Sequence, residues 1–442
     1  MTFLFLLACG TDADSREPVF VAEPCRVDAD AFDGFRVEVD PNIGTVLHAS
    51  WDGAAELRYT DALGIEREVA FDGDRVLVGF RARAEVGLQL HADGLCSPVV
   101  TVVTGSLPAG LPEASVSRVP GPQTETFLAV PVMTNLERRA MVFETATGEP
   151  VWHWALPEGT LSPSYRVHLR RDGGGVLVNV HETPNSRGGL YRVDWDGHWN
   201  FIEVPGSNVD FIEHDDGTLA VLAFQVRTDS DGVRIRGDRI LEVGLDGELV
   251  EVWNMFDDYP HDLGPTSVSS DPFGPSVEWA HANGLNYDPA EDAYLVSLHE
   301  IGVIASVDAA SGALNWRLGE GGEYESGPRK VVDSPHSVQV LDDGNVLLFN
   351  RRGVGECSGA VEVEFVGDHA DVVWEHASEE CVLVVFLGEA LRLPDGDTLM
   401  MWSSSGMLDI VGPNGDLRWR MSLDLGAGFG FVDQTNDLGS AD

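Results

Sequence analysis

Apolar and polar residues alternate with a period of two through most of the chain, in short runs separated by turn residues. Runs such as FRVEVD and VGLQLHA show this alternation, and turns such as DGD interrupt it. A period of two places successive side chains on opposite faces of a strand, whereas a helix requires a period of 3.6. No long stretch has the helical period. The pattern therefore predicts an all-β protein.

The runs form two regions of different organisation. Residues 21–112 contain about seven short runs, which is typical of a small β-sandwich. The proline-bearing segment 106–114 is interpreted as a linker, and residues 113–442 repeat a longer unit. The predicted domains are therefore a signal and tether in residues 1–20, the β-sandwich, and a repeat domain.

Each unit of the repeat domain contains two hairpins. One has an Asp-Gly or similar turn before an apolar strand, as in VLDDGNVLLFN, and the other ends in an aromatic residue, as in VDAASGALNWRL. Six units close with a tryptophan: Trp152, Trp199, Trp253, Trp316, Trp374 and Trp419. A four-stranded unit of roughly fifty residues buries its faces only against its neighbours. Six of them predict a six-bladed β-propeller with tryptophans packed between the blades.

The chain has 442 residues and a formal net charge of -45. Such a surface repels phosphate groups, which excludes nucleic acid as a partner and disfavours anionic lipid surfaces. An anionic substrate would therefore need local positive charge. Arginine must supply nearly all of it, because Lys330 is the single lysine.

The N-terminal segment MTFLFLLACG resembles a shortened lipoprotein signal with Cys9 as the lipidated residue. Four further cysteines fall into two pairs, each within one predicted structural unit: Cys25 with Cys96, and Cys357 with Cys381. Disulfides persist in the oxidising compartments that exported chains enter. The sequence predicts an exported bacterial lipoprotein, periplasmic or at the cell surface, whose membrane contact is the lipid anchor. Four buried thiols in a cytosolic protein are the alternative.

Two histidine-bearing strands lie in consecutive units. The first begins in the segment EWAHAN, which contains His281 and Asn283, and the second begins PHSVQV, which contains His336. The first strand of each blade lines the central channel of a propeller, so we expect these residues to converge at one mouth. Long segments at 254–278 and 319–334 precede the two strands and are interpreted as pocket walls.

These segments resemble the bacterial arylsulfate sulfotransferase family, six-bladed propellers that move a sulfuryl group between phenols. The W-x-H-x-N segment of that family matches Trp279, His281 and Asn283, and its second histidine segment matches the residues from His336 to Phe349. The resemblance implies that His336 forms a covalent sulfo-histidine, while His281 and Asn283 bind and polarise the sulfuryl group. It also implies a small aromatic sulfate ester and a phenol as partners, and no cofactor.

Sulfuryl transfer suits such residues chemically. A neutral imidazole nitrogen can attack the electrophilic sulfur and hold the group covalently, which divides one displacement into two steps. Fixed hydrogen-bond donors stabilise the charge that develops on the oxygens. No metal is predicted, because H-x-H and H-x-x-H pairs are absent from the sequence.

Several positions depart from the family pattern. Pro335 and Ser337 replace the Gln and Asp that flank the nucleophile, and His299 replaces an arginine in an S-S-R segment. Since histidine is a conditional cation, sulfate binding through His299 would be weaker or pH-dependent. Residues 208–210 read Asn-Val-Asp where the family has His-His-Asp.

Three arginines are near enough in sequence to replace the lost charge: Arg329, Arg351 and Arg352. The remaining histidines are interpreted as structural or surface residues, including His153, His168, His198 and His376.

Two other functions stay open. The departures favour a non-catalytic propeller that binds a ligand or partner at the former active-site rim. Segments such as ASGALNW also resemble the repeats of quinoprotein dehydrogenases, although those propellers have eight blades and six are counted here. Fold alone does not choose between these functions.

Overall fold

The computed structural model describes residues 25–119, 125–134, 138–158, 160, 163–259, 267–271, 274–319, 321–326, 331–352, 357–424 and 428–439. The protein is almost entirely β, as the period of two predicts. Within the described ranges, the helices are the α-helix α1 (Met255–Asp258) and two short 3-10 helices at Asp30–Phe32 and Ser403–Ser405. None of these described helices is long and apolar enough to cross a membrane.

The N-terminal region forms one hydrogen-bonded network of seven strands. They are β1 (Arg26–Val27), β2 (Arg36–Val39), β3 (Leu47–Thr60), β4 (Glu66–Leu77), β5 (Glu85–Ala92), β6 (Leu95–Cys96) and β7 (Val100–Val103). The long β3–β4 hairpin has a register shift between Trp51 and Ala54, so β3 pairs with β2 along its first half and with β5 along its second. Apolar side chains including Phe71 and Leu88 form the core of this region.

The remaining strands form six sheets, the blades of a propeller, as predicted from the repeat. Blade 1 contains β9 (Phe127–Met133), β10 (Arg138–Glu144), β11 (Pro150–Ala155), β35 (Gly428–Phe429) and β36 (Asp433–Thr435). Blade 2 contains β12 (Val167–Leu169), β13 (Gly175–Val180), β14 (Gly189–Asp194) and β15 (Trp199–Glu203). Blade 3 contains β16 (Ser207–Glu213), β17 (Leu219–Thr228), β18 (Arg234–Val243), β19 (Leu249–Asn254), β20 (Ser267–Asp271) and β21 (Gly274–Glu278).

The last three blades follow in chain order. Blade 4 contains β22 (Ala282–Asp288), β23 (Ala293–Leu298), β24 (Val303–Asp308) and β25 (Leu314–Gly319). Blade 5 contains β26 (Glu325–Ser326), β27 (Pro335–Val340), β28 (Val346–Asn350), β29 (Gly359–Val366) and β30 (His369–Ala377). Blade 6 contains β31 (Glu389–Arg392), β32 (Thr398–Trp402), β33 (Met407–Val411), β34 (Leu417–Leu423) and β8 (Ala114–Arg118).

Segments from both ends of the propeller close the ring. Strand β8 joins the outer edge of blade 6 beside β34, and β35 and β36 pair with β9 in blade 1. Each closure links residues from the beginning of the repeat domain to residues near its end. These pairings couple the first and last blades through backbone hydrogen bonds.

The closing tryptophans lie in the outer strands, and three of them bond to the following blade. The Nε1–H groups of Trp152, Trp374 and Trp419 donate to the backbone oxygens of Trp195, Pro413 and Thr145 at 2.8, 2.9 and 2.9 Å. Trp199 differs, because it is half exposed on blade 2.

The N-terminal sheet packs on the side of the propeller formed by blades 1 and 2. Val46 and Val78 belong to the same buried cluster as Phe127 and Trp152. The Arg81 side chain also forms an ion pair of 3.1 Å with a buried carboxylate of blade 1. These contacts leave blades 4 and 5, which carry the predicted site, on another part of the ring.

The insertion before blade 4 extends blade 3. Strands β20 and β21 form a hairpin, and β21 pairs in parallel with the part of β18 that projects beyond β19. This pairing places Glu278 beside Arg236, immediately before the segment that carries His281. The extra residues predicted to form a wall therefore bring a carboxylate to the start of blade 4.

Candidate active site at the mouth of blades 4 and 5

The first strands of blades 4 and 5 lie against each other. Gly284 in β22 is so close to β27 that an added Cβ would be 2.9 Å from the Cα of Ser337. A side chain at this position would therefore separate the two strands. Because His281 precedes β22 and His336 lies in β27, this packing brings the predicted histidines to one end of the channel.

Both strands are irregular where the histidines occur. The pairing register shifts between Ala282 and Gly284 in β22 and between Pro335 and Val338 in β27. His281 also has a left-handed φ of 56°, and Ser337 has φ of 129°. Such conformations cost about 1–3 kcal/mol each in non-glycine residues and occur where surrounding structure enforces them. The bulges interrupt strict alternation next to the candidate site.

His281 forms an ion pair with the end of blade 3. Its Nδ1 lies 2.9 Å from Oε1 of Glu278. Burial opposes protonation of the ring, but the hydrogen bond and charge of Glu278 outweigh it and raise the pKa of His281. Burial likewise opposes ionisation of Glu278, yet His281 and Arg236 lower its pKa to about 2. Each residue of the pair therefore stabilises the charged form of the other.

The pKa of His299 shifts in the opposite direction, although its ring centroid is only 5.7 Å from that of His281. Its Nδ1–H donates to the backbone oxygen of Pro335 at 3.2 Å, and its Nε2 accepts from the Arg351 guanidinium at 3.2 Å. Burial, followed by the charges of His281 and Arg351, lowers the pKa of His299 to about 4. At neutral pH His299 is uncharged, so the permanent cation at this position is Arg351.

His336 is almost completely buried, with 3% of its surface exposed. Its ring lies 5.3 Å from the Phe431 ring, and its Nδ1 has no hydrogen-bond partner among the described residues. Burial, with the charges of His299, His281 and Arg351, holds the pKa of His336 well below its usual range. The imidazole is therefore neutral at neutral pH, which leaves one ring nitrogen with a free lone pair.

Asn283 is fully buried at the same end of β22. Its Oδ1 accepts a hydrogen bond of 2.8 Å from the Ser297 hydroxyl, which fixes the orientation of the amide. Its Nδ2 has no acceptor within the described ranges. The amide group thus has donor capacity that the described protein atoms do not use.

Arg351 is held by the segment that precedes blade 6. Its guanidinium donates to the backbone oxygens of Val384, at 3.3 Å, and Val385. Ser358 supports the arrangement, because its hydroxyl donates to the backbone oxygen of Arg351 at 2.7 Å and accepts from the Val384 N–H at 2.8 Å. Of the arginines that could replace the missing family residue, the structure thus brings Arg351 to His299, whereas Arg329 lies outside the described residues.

Both predicted disulfides are present. Cys25 is bonded to Cys96 and Cys357 to Cys381. The second bond adjoins Ser358 and closes the segment that supports Arg351. Disulfides are consistent with passage through an oxidising compartment. The predicted lipidation site, Cys9, lies outside the described residues.

The sequence interpretation missed His181 and Arg236. His181 follows β13 of blade 2, and its pKa is lowered to about 4 by burial and by Arg236, against the opposing effect of a hydrogen bond with Asn208. The Arg236 guanidinium lies over the Phe224 ring at 4.0 Å. Neither residue has a local signal, because His181 is a single histidine just after β13 and Arg236 is one of several charged residues in the run RIRGDR.

The Asn-Val-Asp segment that replaces the family's His-His-Asp has a structural connection to blade 4. Asn208 Nδ2 donates to the backbone oxygen of Ala282 at 3.3 Å, and Asp210 Oδ2 accepts from the Leu285 N–H at 2.7 Å.

Four histidines interpreted from the sequence as structural or surface residues have neighbours outside the candidate site. His153 is buried, His168 pairs with Asp433, His198 with Asp196, and His376 stacks on Trp374.

In the described part of the chain, no three or more His, Cys, Asp or Glu side chains have the arrangement of a metal site.

A separate ionic cluster lies on the inner strands, where Arg166 contacts Asp210 and, at 2.9 Å, Glu389. Burial raises the pKa of Glu389 to about 7.

Residues 189–386 match the model of the arylsulfotransferase (ASST) family. The resemblance predicted from the two histidine segments is therefore confirmed, and the matched residues extend from blade 2 to the segment that holds Arg351. The match includes His281, Asn283, His299 and His336.

The solved structures that match the chain are distant from it in sequence. A protein of unknown function from Bacteroides caccae is 17% identical, with a TM-score of 0.45, over 71% of this chain and 100% of that chain. The periplasmic gluconolactonase of Pseudomonas aeruginosa is 14% identical, with a TM-score of 0.43, over 71% and 99%. Virginiamycin B lyase from Staphylococcus aureus is 11% identical, with a TM-score of 0.36, over 58% and 69%. No curated protein matches the chain.

Proposed function

We propose that this arylsulfotransferase-like protein transfers a sulfuryl group from an aryl sulfate ester to a phenol through a covalent intermediate on His336. The observation that carries the proposal is the charge pattern of the three histidines. The pKa of His281 is raised, whereas the pKa values of His299 and His336 are lowered. Environments that separate the pKa values of neighbouring groups are how active sites assign acid and base roles.

In the first half-reaction, the free lone pair of His336 attacks sulfur. The nitrogen–sulfur bond forms as the bond between sulfur and the aryl oxygen breaks. The leaving phenolate takes a proton from the His281 imidazolium, which becomes neutral. The sulfuryl group is then held on His336 and the first phenol departs.

In the second half-reaction, the acceptor phenol occupies the position that the first phenol left. Neutral His281 accepts the phenol proton as the phenolic oxygen attacks sulfur, and the nitrogen–sulfur bond breaks. The aryl sulfate product leaves with His281 protonated and His336 free. One ionisable group therefore serves as acid and then as base.

The sulfuryl oxygens need donors that stay charged or stay aligned. Arg351 supplies a permanent cation next to His299, and Asn283 supplies an aligned amide N–H. Each such donor contributes most when it is fixed before the reaction in a site that excludes water. In this proposal His299 orients the guanidinium of Arg351 by accepting its hydrogen bond.

A non-catalytic binding propeller is the second candidate. One observation favours it: Nδ1 of His336 has no hydrogen-bond partner among the described residues. In the family pattern an aspartate follows this histidine, and Ser337 stands in its place here. Such a protein would bind an aryl sulfate at the same donors without transferring the group.

We also propose that the protein is exported as a lipoprotein anchored through Cys9.

Turnover of a chromogenic aryl sulfate in the presence of a phenol tests the proposal. The expected result is release of the chromophore together with formation of the acceptor's sulfate ester, both dependent on the acceptor. Saturable binding of the ester with no release would favour the binding propeller.

A further inference from the structure

We propose that Glu278 is the positioning residue that holds His281 as the proton donor and acceptor of this site. The inference rests on the proposed transfer reaction and adds a residue outside the histidine, asparagine and arginine set described above. It derives from the hairpin inserted before blade 4.

Glu278 is the last residue of β21 and is 7% exposed. Its Oε1 is 2.9 Å from Nδ1 of His281 and 3.5 Å from Nε of Arg236. Parallel pairing of β21 with β18 sets Glu278 opposite Arg236, so backbone hydrogen bonds fix the position of the carboxylate. Since Nδ1–H of His281 donates to Glu278, Nε2 is the ring nitrogen left for exchange with a phenol oxygen.

Asp238 fixes the backbone next to His281. Its Oδ2 accepts the Ala282 N–H at 2.9 Å, directly after the left-handed backbone of His281. Its Oδ1 is buried without a partner among the described residues. The ring and the backbone of His281 are thus each tied to a carboxylate of blade 3.

The charged and titratable groups that act on His281 come from four blades. Blade 3 contributes two carboxylates, Glu278 and Asp238, and one cation, Arg236. The imidazoles that face it are His181 of blade 2, His299 of blade 4 and His336 of blade 5, each with a lowered pKa. The carboxylates therefore dominate, and Glu278 is the one bonded to the ring.

A purely structural role for Glu278 makes different predictions. If Glu278 only joined the hairpin to β18, its loss would lower the stability of the protein. It would not change the pKa of His281. Glu278→Gln separates the two roles, because the amide keeps the size and an acceptor oxygen but removes the negative charge. Glu362→Gln is the matched control. Glu362 lies in blade 5, is also buried, and forms an ion pair of 2.7 Å with an arginine, Arg392.

The first measurement is the titration of His281 by NMR in the full chain with labelled histidines, assigned through His281→Gln. We expect Glu278→Gln to lower the pKa of His281 by about 1–3 pH units, the usual effect of losing a close opposite charge. Glu362→Gln should leave it unchanged. An unchanged His281 titration in Glu278→Gln would overturn the inference, whether or not the protein turns over an aryl sulfate.

The second measurement is the dependence of rate on the leaving phenol. A proton donor matters most for phenols of high pKa, so Glu278→Gln should lose about 10²–10⁴-fold on a poor leaving group. It should lose much less on a nitrophenyl sulfate, and its activity should decline at lower pH than that of the wild type. An equal loss on every donor would overturn the positioning role. Absence of turnover in the wild type would overturn the proposed function, while the titration would still decide whether Glu278 sets the charge of His281.

Discussion

Two charge clusters of the propeller differ in the cation that they contain. The channel cluster joins Arg166 to Asp210 and Glu389, and the mouth cluster joins His281 to Glu278. An arginine stays charged throughout the physiological range, whereas a histidine gains and loses its proton there. The cation of the channel cluster therefore suits a permanent connection, and the cation of the mouth cluster suits proton transfer.

The surroundings of the two clusters support this distinction. In the channel cluster, Arg166 lies 4.5 Å above Phe431, and the carboxylates also accept the backbone N–H groups of Leu285 and Val432 at 2.7 Å. Blades 1, 2, 3, 4 and 6 are thus linked through a single guanidinium. In the mouth cluster, carboxylates act on His281 from one side and neutral imidazoles face it from others. The difference indicates that one fold uses buried charge for stability in one place and for chemistry in another.

The largest expected effect is on the nucleophile. His336→Ala should lower transfer by more than about 10³-fold, because removal of a nucleophile eliminates the covalent route. Chromophore release measured under saturating donor and acceptor tests this. His198→Ala is the control, since His198 is exposed on blade 2 and pairs with Asp196. Comparable activity in His336→Ala and wild type would end the enzymatic interpretation.

Loss of the channel cation should act on stability. Arg166→Met leaves two buried carboxylates without their partner, and we expect a decrease of about 3–5 kcal/mol in the free energy of unfolding. Denaturant titration provides the measurement. The exposed pair of Arg187 with Glu203 is the matched comparison, and Arg187→Met should cost less than about 1 kcal/mol. Equal costs for the two substitutions would remove the assignment of a structural role to the channel cluster.

Removal of the permanent cation at the mouth should weaken substrate binding. Arg351→Ala loses a charged donor worth about 1.5–3 kcal/mol, so KM for the aryl sulfate should rise by roughly 10–100-fold. His299→Ala should have a smaller effect in the same direction, because His299 only orients the guanidinium. Initial rates over a range of donor concentrations give both values. A larger effect of His299→Ala than of Arg351→Ala would show that the anion contacts His299 instead.

The two disulfides provide a further comparison. Replacing Cys357 and Cys381 by serine should lower stability by about 2–4 kcal/mol and also raise KM, because the bond closes the segment that holds Arg351. Replacing Cys25 and Cys96 should lower stability without changing KM, since that bond belongs to the N-terminal sheet. Unfolding and kinetics would be measured on both double variants. A KM that responds equally to the two replacements would contradict the support proposed for Arg351.

The smallest effect concerns pH. Neutral His336 is the reactive form, and its pKa lies well below 6.5, so activity should be lost only when the pH falls through that lowered value. His281 must be protonated in the first step, and its raised pKa predicts a decline as the pH rises through it. The profile of kcat/KM should therefore be flat between these limits. A decline on the acid side near pH 6.5 would mean that His336 is not held neutral.

Much of this architecture could be predicted from the sequence because it has a local signal. The period of two, the turn motifs and the six tryptophans depend on residues close together in the chain, and they predict the six-bladed propeller. The positions of His281, Asn283 and His336 at the starts of first strands also predict that they meet.

Other parts of the site depend on contacts that have no local signal. The pairing of β21 with β18 creates the contact between Glu278 and His281, and the segment after Cys381 places Arg351 against His299. Each joins residues from different blades or from distant strands. For the same reason, the charge state of His299 follows from burial and neighbouring cations and not from its residue type.

The measurement that tests the central claim most directly is the mass of the protein after a single turnover without acceptor. Rapid quenching at high pH, followed by intact-mass and peptide analysis, should show an adduct of about 80 Da on the peptide that contains His336. Addition of a phenol before quenching should remove it, and His336→Ala should never acquire it. Chromophore release by the wild type with no adduct under these conditions, or an adduct that persists in His336→Ala, would contradict covalent transfer through His336.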